Sequence, residues 1–284
     1  MPRIVFLNGD YIPEHEAKIS IFDRAVNFGD AIYEVAGVLD GKLIDFEHHM
    51  QRYFNSLEKL SIESPLEQTQ ILEAFRRLVE LNQIDEGLVY MQVTRGVAER
   101  DFVWPEDITP NVFMFTQPNA SIENSAAETG ITLASTPDIR WARRDIKSVN
   151  LLAQVLAKQA AHDAGAYEAL MVDAEGYVTE CGSTSFFIVK DDLVLTRPLS
   201  NDILPGVTRR AVVALCNTHG LRLVETRFTL DEAKGADEAF ISGASTYVLP
   251  VVKIDDQEIG AGTPGELGRR LREIYIDYAR ASLV

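Results

Sequence analysis

The sequence predicts a two-domain α/β (α+β) fold on three observations. The chain has 284 residues, more than the roughly 100–200 of a single domain. Runs with strand character alternate with runs of helical period. A polar, proline-containing stretch, Gln117-Pro118-Asn119-Ala120-Ser121-Ile122-Glu123-Asn124-Ser125, interrupts that alternation and reads as a linker. The boundary falls there, giving a domain of residues 1–120 and one of residues 121–284.

The first element is a hairpin. Asn8-Gly9 separates Ile4-Val5-Phe6-Leu7 from Tyr11-Ile12, and Asn-Gly accepts the positive φ angles of a type I′ turn. Residues 28–39 alternate loosely and meet Asp40-Gly41, which reads as strand, turn and a second strand over 42–46. From 46 to 60 the apolar residues Phe46, Met50, Tyr53, Phe54, Leu57 and Leu60 recur at helical spacing, and 71–81 repeats the pattern. Strands follow at 88–95 and 111–116, with an irregular stretch over 96–110 between them. Beyond the boundary, 131–135 reads as a strand and 149–164 as a helix stopped by Gly165. Residues 169–172 with 177–179, and 186–189 with 193–195, read as two hairpins. A helix over 207–218, strands over 238–242 and 248–252, and an amphipathic helix over 267–281 complete the order.

With 46% hydrophobic and 25% charged residues, the composition is that of a globular protein. A formal charge of −16 and a pI near 4.7 oppose nucleic acid or an anionic membrane surface as partner, because binding phosphates needs a basic face. Only Cys181 and Cys216 are present, so neither a disulfide framework nor a cysteine metal cluster is expected, and a reducing cytoplasm fits. The N-terminus lacks the apolar run of a signal peptide, and no stretch approaches the roughly 20 apolar residues of a membrane span. No export is expected. His48-His49 does not make a metal site, since neighbours on a helix point in different directions. No Gly-x-Ser-x-Gly elbow supports a serine nucleophile.

Several residues could carry chemistry, each with an ordinary alternative. Lys147 precedes Ser148 and Asn150, potential caps of a helix whose expected buried face is Leu151, Leu152, Val155, Leu156 and Ala160. An ammonium there opposes the helix dipole by about 0.3–1 kcal/mol, so its charge is compensated, for example by Asp145, or the amine is engaged in a covalent bond such as a Schiff base. Leu204-Pro205-Gly206-Val207-Thr208-Arg209 begins a helix where N–H groups and a hydroxyl can hold a phosphate or merely cap one another. Ile241-Ser242-Gly243-Ala244-Ser245-Thr246 permits close approach of a ligand, or is a tight turn. Glu180 lines a site or is solvated; Arg52 reaches a ligand or lies over apolar neighbours. Tyr33 faces a pocket or packs in the core, and Arg100 binds an anion or pairs with Glu99 or Asp101.

In order, Phe28-Gly29-Asp30-Ala31-Ile32-Tyr33-Glu34-Val35, His49 to Arg52, Gln92-Val93-Thr94-Arg95-Gly96, residues 140–150 around Asp145-Ile146-Lys147-Ser148, Val178-Thr179-Glu180 and Gly206-Val207-Thr208-Arg209 resemble the class IV (fold type IV) pyridoxal-phosphate aminotransferases, and within them the enzymes of D-amino acids. The resemblance runs nearly end to end. It implies a small N-terminal α/β domain, a larger C-terminal pseudo-barrel domain, pyridoxal 5'-phosphate as cofactor, and a homodimer whose active sites are shared between subunits. Lys147 would carry the cofactor and move the substrate Cα proton, and Glu180 would face the pyridine nitrogen. Arg52, the helix start at Gly206, Val207 and Thr208, and the Ala244-Ser245 turn would hold the phosphate, with Leu204 also against the cofactor. Tyr33 would lie beside the substrate, and Arg100 would reach from the partner subunit to the substrate carboxylate.

Two departures bear on specificity. Arg100-Asp101-Phe102 stands where the family's D-amino acid enzymes have Arg-x-His, so an apolar ring replaces a donor beside the substrate. Ala244 replaces an expected hydroxyl residue. The resemblance implies amino transfer from a D-amino acid such as D-alanine to 2-oxoglutarate. A branched-chain L-amino acid aminotransferase, an (R)-selective amine transaminase and aminodeoxychorismate lyase are its alternatives within the family. A non-catalytic ligand-binding protein is the alternative outside it, opposed by the presence of both Lys147 and Glu180.

Overall fold

The computed structural model describes residues 2–284 and divides into two compact units. The first runs to Ala120 and also takes Ile146–Asn150 and Ala279–Val284; the second takes Ser121–Asp145 and Leu151–Tyr278.

In the first unit the elements are β1 (Ile4–Leu7), β2 (Asp10–Pro13), α1 (Arg24–Phe28), β3 (Ala31–Leu39), β4 (Lys42–Leu43), α2 (Phe46–Leu60), α3 (Gln68–Leu81), β5 (Gly87–Thr94) and β6 (Asn111–Pro118). The sheet order is β2-β1-β6-β5-β3-β4, with every pairing antiparallel. Asn8 and Gly9, at φ 51° and 106°, make the predicted first turn. Strand alternation sends Ile32, Ala36, Val38, Val89, Met91, Val93, Val112 and Met114 to one face, where α2 and α3 cover them with Met50, Tyr53, Leu57, Ile71, Phe75 and Leu78. Each large side chain so buried contributes about 1.5–3 kcal/mol. The opposite parity leaves Tyr33, Tyr90, Phe113 and Phe115 half-buried, with Tyr90 stacked between Tyr33 at 5.7 Å and Phe115 at 4.6 Å.

Two expectations in this unit need correction. Phe28 belongs to α1 and not to a strand, because the Asp23 carboxylate accepts the Ala25 N–H and Gly29 ends the helix at φ 67°. The strand expected over 42–46 is reduced to β4, since Asp45 turns the chain at φ 54° and α2 starts at Phe46.

In the second unit the elements are α4 (Ser125–Thr129), β7 (Ile131–Pro137), α5 (Leu152–Asp163), β8 (Glu168–Val172), β9 (Val178–Cys181), β10 (Ser185–Lys190), β11 (Leu193–Thr196), α6 (Val207–Thr218), β12 (Arg222–Glu225), α7 (Leu230–Lys234), β13 (Glu238–Gly243), β14 (Tyr247–Ile254), β15 (Gln257–Glu258) and α8 (Glu266–Ala281). The last residues of α8 belong to the first unit, where Leu43 and Val284 exchange backbone hydrogen bonds. The sheet runs β12-β11-β10-β13-β14-β7-β8-β9, with β15 on β14. It curls upon itself. β9 ends the order yet joins β10, third from the other end, through Gly182-Ser183-Thr184 alone, a link that spans at most about 14 Å. The Cys181 N–H donates to the Thr184 carbonyl at 2.9 Å inside that link.

Helix α5 departs most from expectation. It starts at Leu152, five residues after Lys147, with Leu151 as a cap that makes no side-chain bond. Lys147 therefore does not oppose a helix dipole; its carbonyl is hydrogen-bonded to β3. The buried face is also the reverse of the one expected. Ala157 and Ala161 pack on Ala169 and Met171 of β8, while Leu152, Val155 and Leu156 are 71%, 59% and 53% exposed. The alanines allow close approach of helix and sheet, and the large side chains point away from it.

Candidate active site

Lys147 is held against β3 by the backbone. Its carbonyl accepts the Tyr33 N–H at 2.9 Å, Ser148 bridges Ile32, and Val149 N–H donates to the Ala31 carbonyl at 3.1 Å. The Lys147 N–H donates to Ser56 Oγ of α2 at 3.3 Å. Its ammonium lies 4.1 Å from the centroid of the Tyr33 ring, a cation–π distance. In the second unit the Asp145 carboxylate accepts Arg143 Nε at 2.9 Å.

Glu34, the next residue on β3, points into the core. It is fully buried, accepts Arg52 Nε at 2.7 Å and Nη2 at 2.8 Å, and meets His49 Nδ1 at 2.8 Å. Burial pushes the Glu34 carboxyl up, but the Arg52 charge and the hydrogen bonds of Arg52 and His49 outweigh it and hold it well below the usual carboxylate range. Burial pushes His49 down, against the pull of Glu34, and keeps its ring neutral. The Arg52 fork is thus fixed by a bidentate carboxylate. Sequence reading passed over this triad, although Glu34 shares strand parity with the core residues Ile32, Ala36 and Val38 and so required a buried partner.

Arg100 and Phe102 belong to the exposed stretch between β5 and β6. Arg100 is not paired with Glu99 or Asp101; its guanidinium lies over the rings of Phe28 at 5.3 Å and Phe102 at 5.8 Å. Phe102 is 78% exposed. This cluster centres on Phe28, whose ring lies 5.4 Å from that of Phe102.

In the second unit, Glu180 is buried at the end of β9. It accepts Arg140 Nη1 in an ion pair and the Leu204 N–H at 3.1 Å, so Glu180 and Leu204, both named from sequence, are joined directly. Arg140 is held in turn by Asp138, at 3.0 Å through Nε and 2.7 Å through Nη2, and Thr179 Oγ1 donates to the same Asp138 at 2.7 Å. Burial pushes the Glu180 carboxyl up, ahead of the opposing pull of Arg140 and the Leu204 N–H. Arg140 and Asp138 were not foreseen. Arg140 entered the sequence reading only as the first residue of the run 140–150, and Asp138 lies two residues before it.

Gly206 is the N-cap of α6, with Val207 and Thr208 buried in its first turn. A Cβ on Gly206 would meet Ser185 Oγ at 2.8 Å, and one on Gly243 would meet Thr184 Cγ2 at 2.9 Å and Thr246 Oγ1 at 3.2 Å. The helix start and the Gly243-Ala244-Ser245-Thr246 turn thus both adjoin the start of β10. The turn is fixed from behind by Ser121 Oγ, which donates to the Ser245 carbonyl at 3.0 Å, and by Arg272, which donates to the carbonyls of Thr246 and Val248 at 3.1 and 2.8 Å. Thr184 Oγ1, Ser242 Oγ and Thr246 Oγ1 are buried there without a hydrogen-bond partner. Orphaned hydroxyls packed this closely are costly unless a ligand meets them.

A family model described as amino-transferase class IV matches residues 31–254. The D-alanine aminotransferase of Staphylococcus aureus is 37% identical over 279 residues, covering 96% of this chain and 97% of its own. That of Bacillus licheniformis is 36% identical over 268 residues, covering 94% of each. Among solved structures, the T.th. branched-chain amino acid aminotransferase with pyridoxamine 5'-phosphate gives a TM-score of 0.91 at 28% identity over 100% of this chain and 98% of that one. The branched-chain enzyme of Escherichia coli gives 0.91 at 23% identity over 98% and 95%, a likeness of fold alone. With the model matched across most of the chain and relatives above 30% identity nearly end to end, this protein belongs to the class IV aminotransferases.

Proposed function

We propose that this protein catalyses pyridoxal-phosphate-dependent transamination between a D-amino acid, such as D-alanine, and 2-oxoglutarate, yielding the 2-oxo acid and D-glutamate. The observation that carries the D-series is the 37% identity to a D-alanine aminotransferase over nearly the whole chain, against 28% to the branched-chain enzyme of the same fold.

The residues present fit the cofactor. A phosphate takes several hydrogen bonds at once, and the orphaned Thr184, Ser242 and Thr246 hydroxyls beside the glycine-capped start of α6 are of the kind it needs. Gly206, Val207, Thr208 and the Ala244-Ser245 turn would hold it with Arg52, and Leu204 would pack against the cofactor. Bound pyridoxal phosphate supplies an aldehyde that condenses with amines and a pyridinium ring that accepts an electron pair from the substrate Cα. Lys147 Nζ would hold the cofactor and take the proton from that Cα, with Tyr33 keeping the amine in place. Glu180 would hold the proton on the ring nitrogen. Arg100 would bind the substrate carboxylate.

The reading includes a homodimer in the cytoplasm. Ile21, Val26, Phe102 and Val103 of the first unit, and Leu152, Val155 and Leu156 of the second, are large apolar side chains more than half exposed, which supports their burial by a second copy. Cys181 and Cys216 are free and buried, as suits a reducing compartment. Among the described residues, no helix is long and apolar enough to cross a membrane.

One observation favours a second reading. The exposed Phe102 ring stands where a donor would serve an acid substrate, which suits an (R)-selective amine transaminase. Half-reactions with D-alanine, D-glutamate, L-leucine and (R)-1-phenylethylamine, followed by the change in cofactor absorbance, separate the readings. D-alanine and D-glutamate are expected to react. Conversion with L-leucine alone contradicts the D-series, and conversion with the amine alone supports the second reading.

A further inference from the structure

Two buried guanidiniums converge on one carboxylate oxygen behind the segment that carries Arg100. Asp30 Oδ2 accepts Arg24 Nε at 2.8 Å and Arg95 Nε at 2.7 Å, and both arginines are 3% exposed. The far ends of the two guanidiniums grip the segment. Arg24 Nη1 donates to the Asp101 carbonyl at 2.6 Å and Nη2 to the Phe102 carbonyl at 3.3 Å. Arg95 lies over the Trp104 ring at 4.0 Å, while its own fork is fixed by the carbonyls of Ser61 at 2.9 Å and Leu60 at 2.7 Å. The Phe28 ring carries Arg24 at 4.7 Å and Arg100 at 5.3 Å. Arg100 therefore follows Arg24 through a shared ring and through the two peptide groups that come next in the chain.

Residues 101–107 are exposed and lie outside helix or strand, so the sheet hydrogen bonds that fix β5 and β6 do not extend to them. Arg100 makes no ion pair among the described residues, and two guanidiniums share one carboxylate behind it. A guanidinium without a counter-charge, on a segment fixed by buried arginines, is pre-organised for an incoming anion.

We propose that Asp30, Arg24 and Arg95 form a positioning clamp that sets the Arg100 guanidinium and thereby the concentration at which carboxylate-bearing substrates saturate the enzyme. This rests on the reading of Arg100 as the carboxylate-binding residue. The clamp residues touch neither substrate nor cofactor and act through Arg100 alone.

The test is the half-reaction of the holoenzyme with D-alanine and with D-alaninamide, which lacks the carboxylate, in wild type, Arg24→Gln, Trp104→Ala and Arg100→Ala. In Arg24→Gln and Trp104→Ala, half-saturation by D-alanine is expected to rise about tenfold, with the maximal rate and the response to D-alaninamide within about threefold of wild type. Arg24→Gln added to Arg100→Ala is expected to have little further effect, since both act through one group. Equal losses with both substrates mean a merely structural role and overturn the clamp. An unchanged D-alanine response in the clamp variants, with a raised one in Arg100→Ala, overturns the clamp but not the Arg100 reading. No effect of Arg100→Ala on D-alanine overturns both. Should Arg24→Gln fail to fold, Trp104→Ala, at a side chain already 47% exposed, decides by the same criteria.

Discussion

Lys147 and Tyr33 hold one another twice: the Lys147 ammonium lies 4.1 Å from the Tyr33 ring centroid, and the Lys147 carbonyl accepts the Tyr33 N–H at 2.9 Å. The backbone contact survives substitution of Tyr33 by any residue that keeps the N–H, so the side chain's part can be isolated. Tyr33→Phe keeps the ring and is expected to retain the rate of the D-alanine half-reaction within about threefold. Tyr33→Ala removes it and is expected to lower that rate at least tenfold, in line with about 1–2 kcal/mol for a desolvated cation–π contact and the cost of a wandering amine. Single-turnover rates check both.

Glu34 and His49 give stability a two-step dependence on acid. The His49 pKa is lowered in the folded state, so the unfolded chain takes up its proton first, and stability falls as pH drops below the ordinary 6.5. The Glu34 pKa is depressed, so its contribution is fully present above the ordinary 4.5 and is lost as pH falls below that value. Urea midpoints between pH 8 and 3 are expected to show both losses, and His49→Gln to lack the first. Glu34→Gln leaves Arg52 buried without its carboxylate and is expected to cost about 3 kcal/mol at pH 7.

The Glu180–Arg140 pair makes an opposite kind of prediction. Because burial raises the Glu180 pKa, the carboxylate that would serve the ring nitrogen is lost at a higher pH than the ordinary 4.5. The maximal rate is therefore expected to fall on the acid side from above that value. Arg140→Gln removes the group that pulls the pKa down, so its acid limb is expected at higher pH. A limb that stays in place means that another group sets it.

The aliphatic face of α5 makes a prediction about assembly. Leu156→Glu puts a charge on a side chain 53% exposed in the subunit, where it costs the fold little. If a second copy buries this face, the variant is expected to sediment as a monomer while wild type sediments as a dimer. A dimeric variant removes this face from the interface.

Long elements were legible in sequence because their periods are. Helices α2 and α6 begin and end where apolar spacing and glycine punctuation put them. Elements of two to five residues, such as α4, α7, β12 and β15, are too short for a period to register. For α5 the spacing was clear but its meaning was reversed, since one chain does not reveal whether leucines or alanines face its own sheet. Among the candidate site residues, Lys147, Glu180 and the Gly206 turn were named through motif order. Glu34, which fixes Arg52, and Arg140, which fixes Glu180, lie 18 and 40 residues from their partners in the chain and meet them only in the fold.

Lys147 is proposed to carry the cofactor, and covalent trapping tests that directly. The purified protein, supplied with pyridoxal phosphate, reduced with borohydride and digested, is expected to bear the phosphopyridoxyl mass on the peptide containing Lys147. Lys147→Ala is expected to bear none there and to transfer no amino group from D-alanine. A label on another lysine, or a wild-type protein that takes up no label, would rule out Lys147 as the cofactor's attachment point.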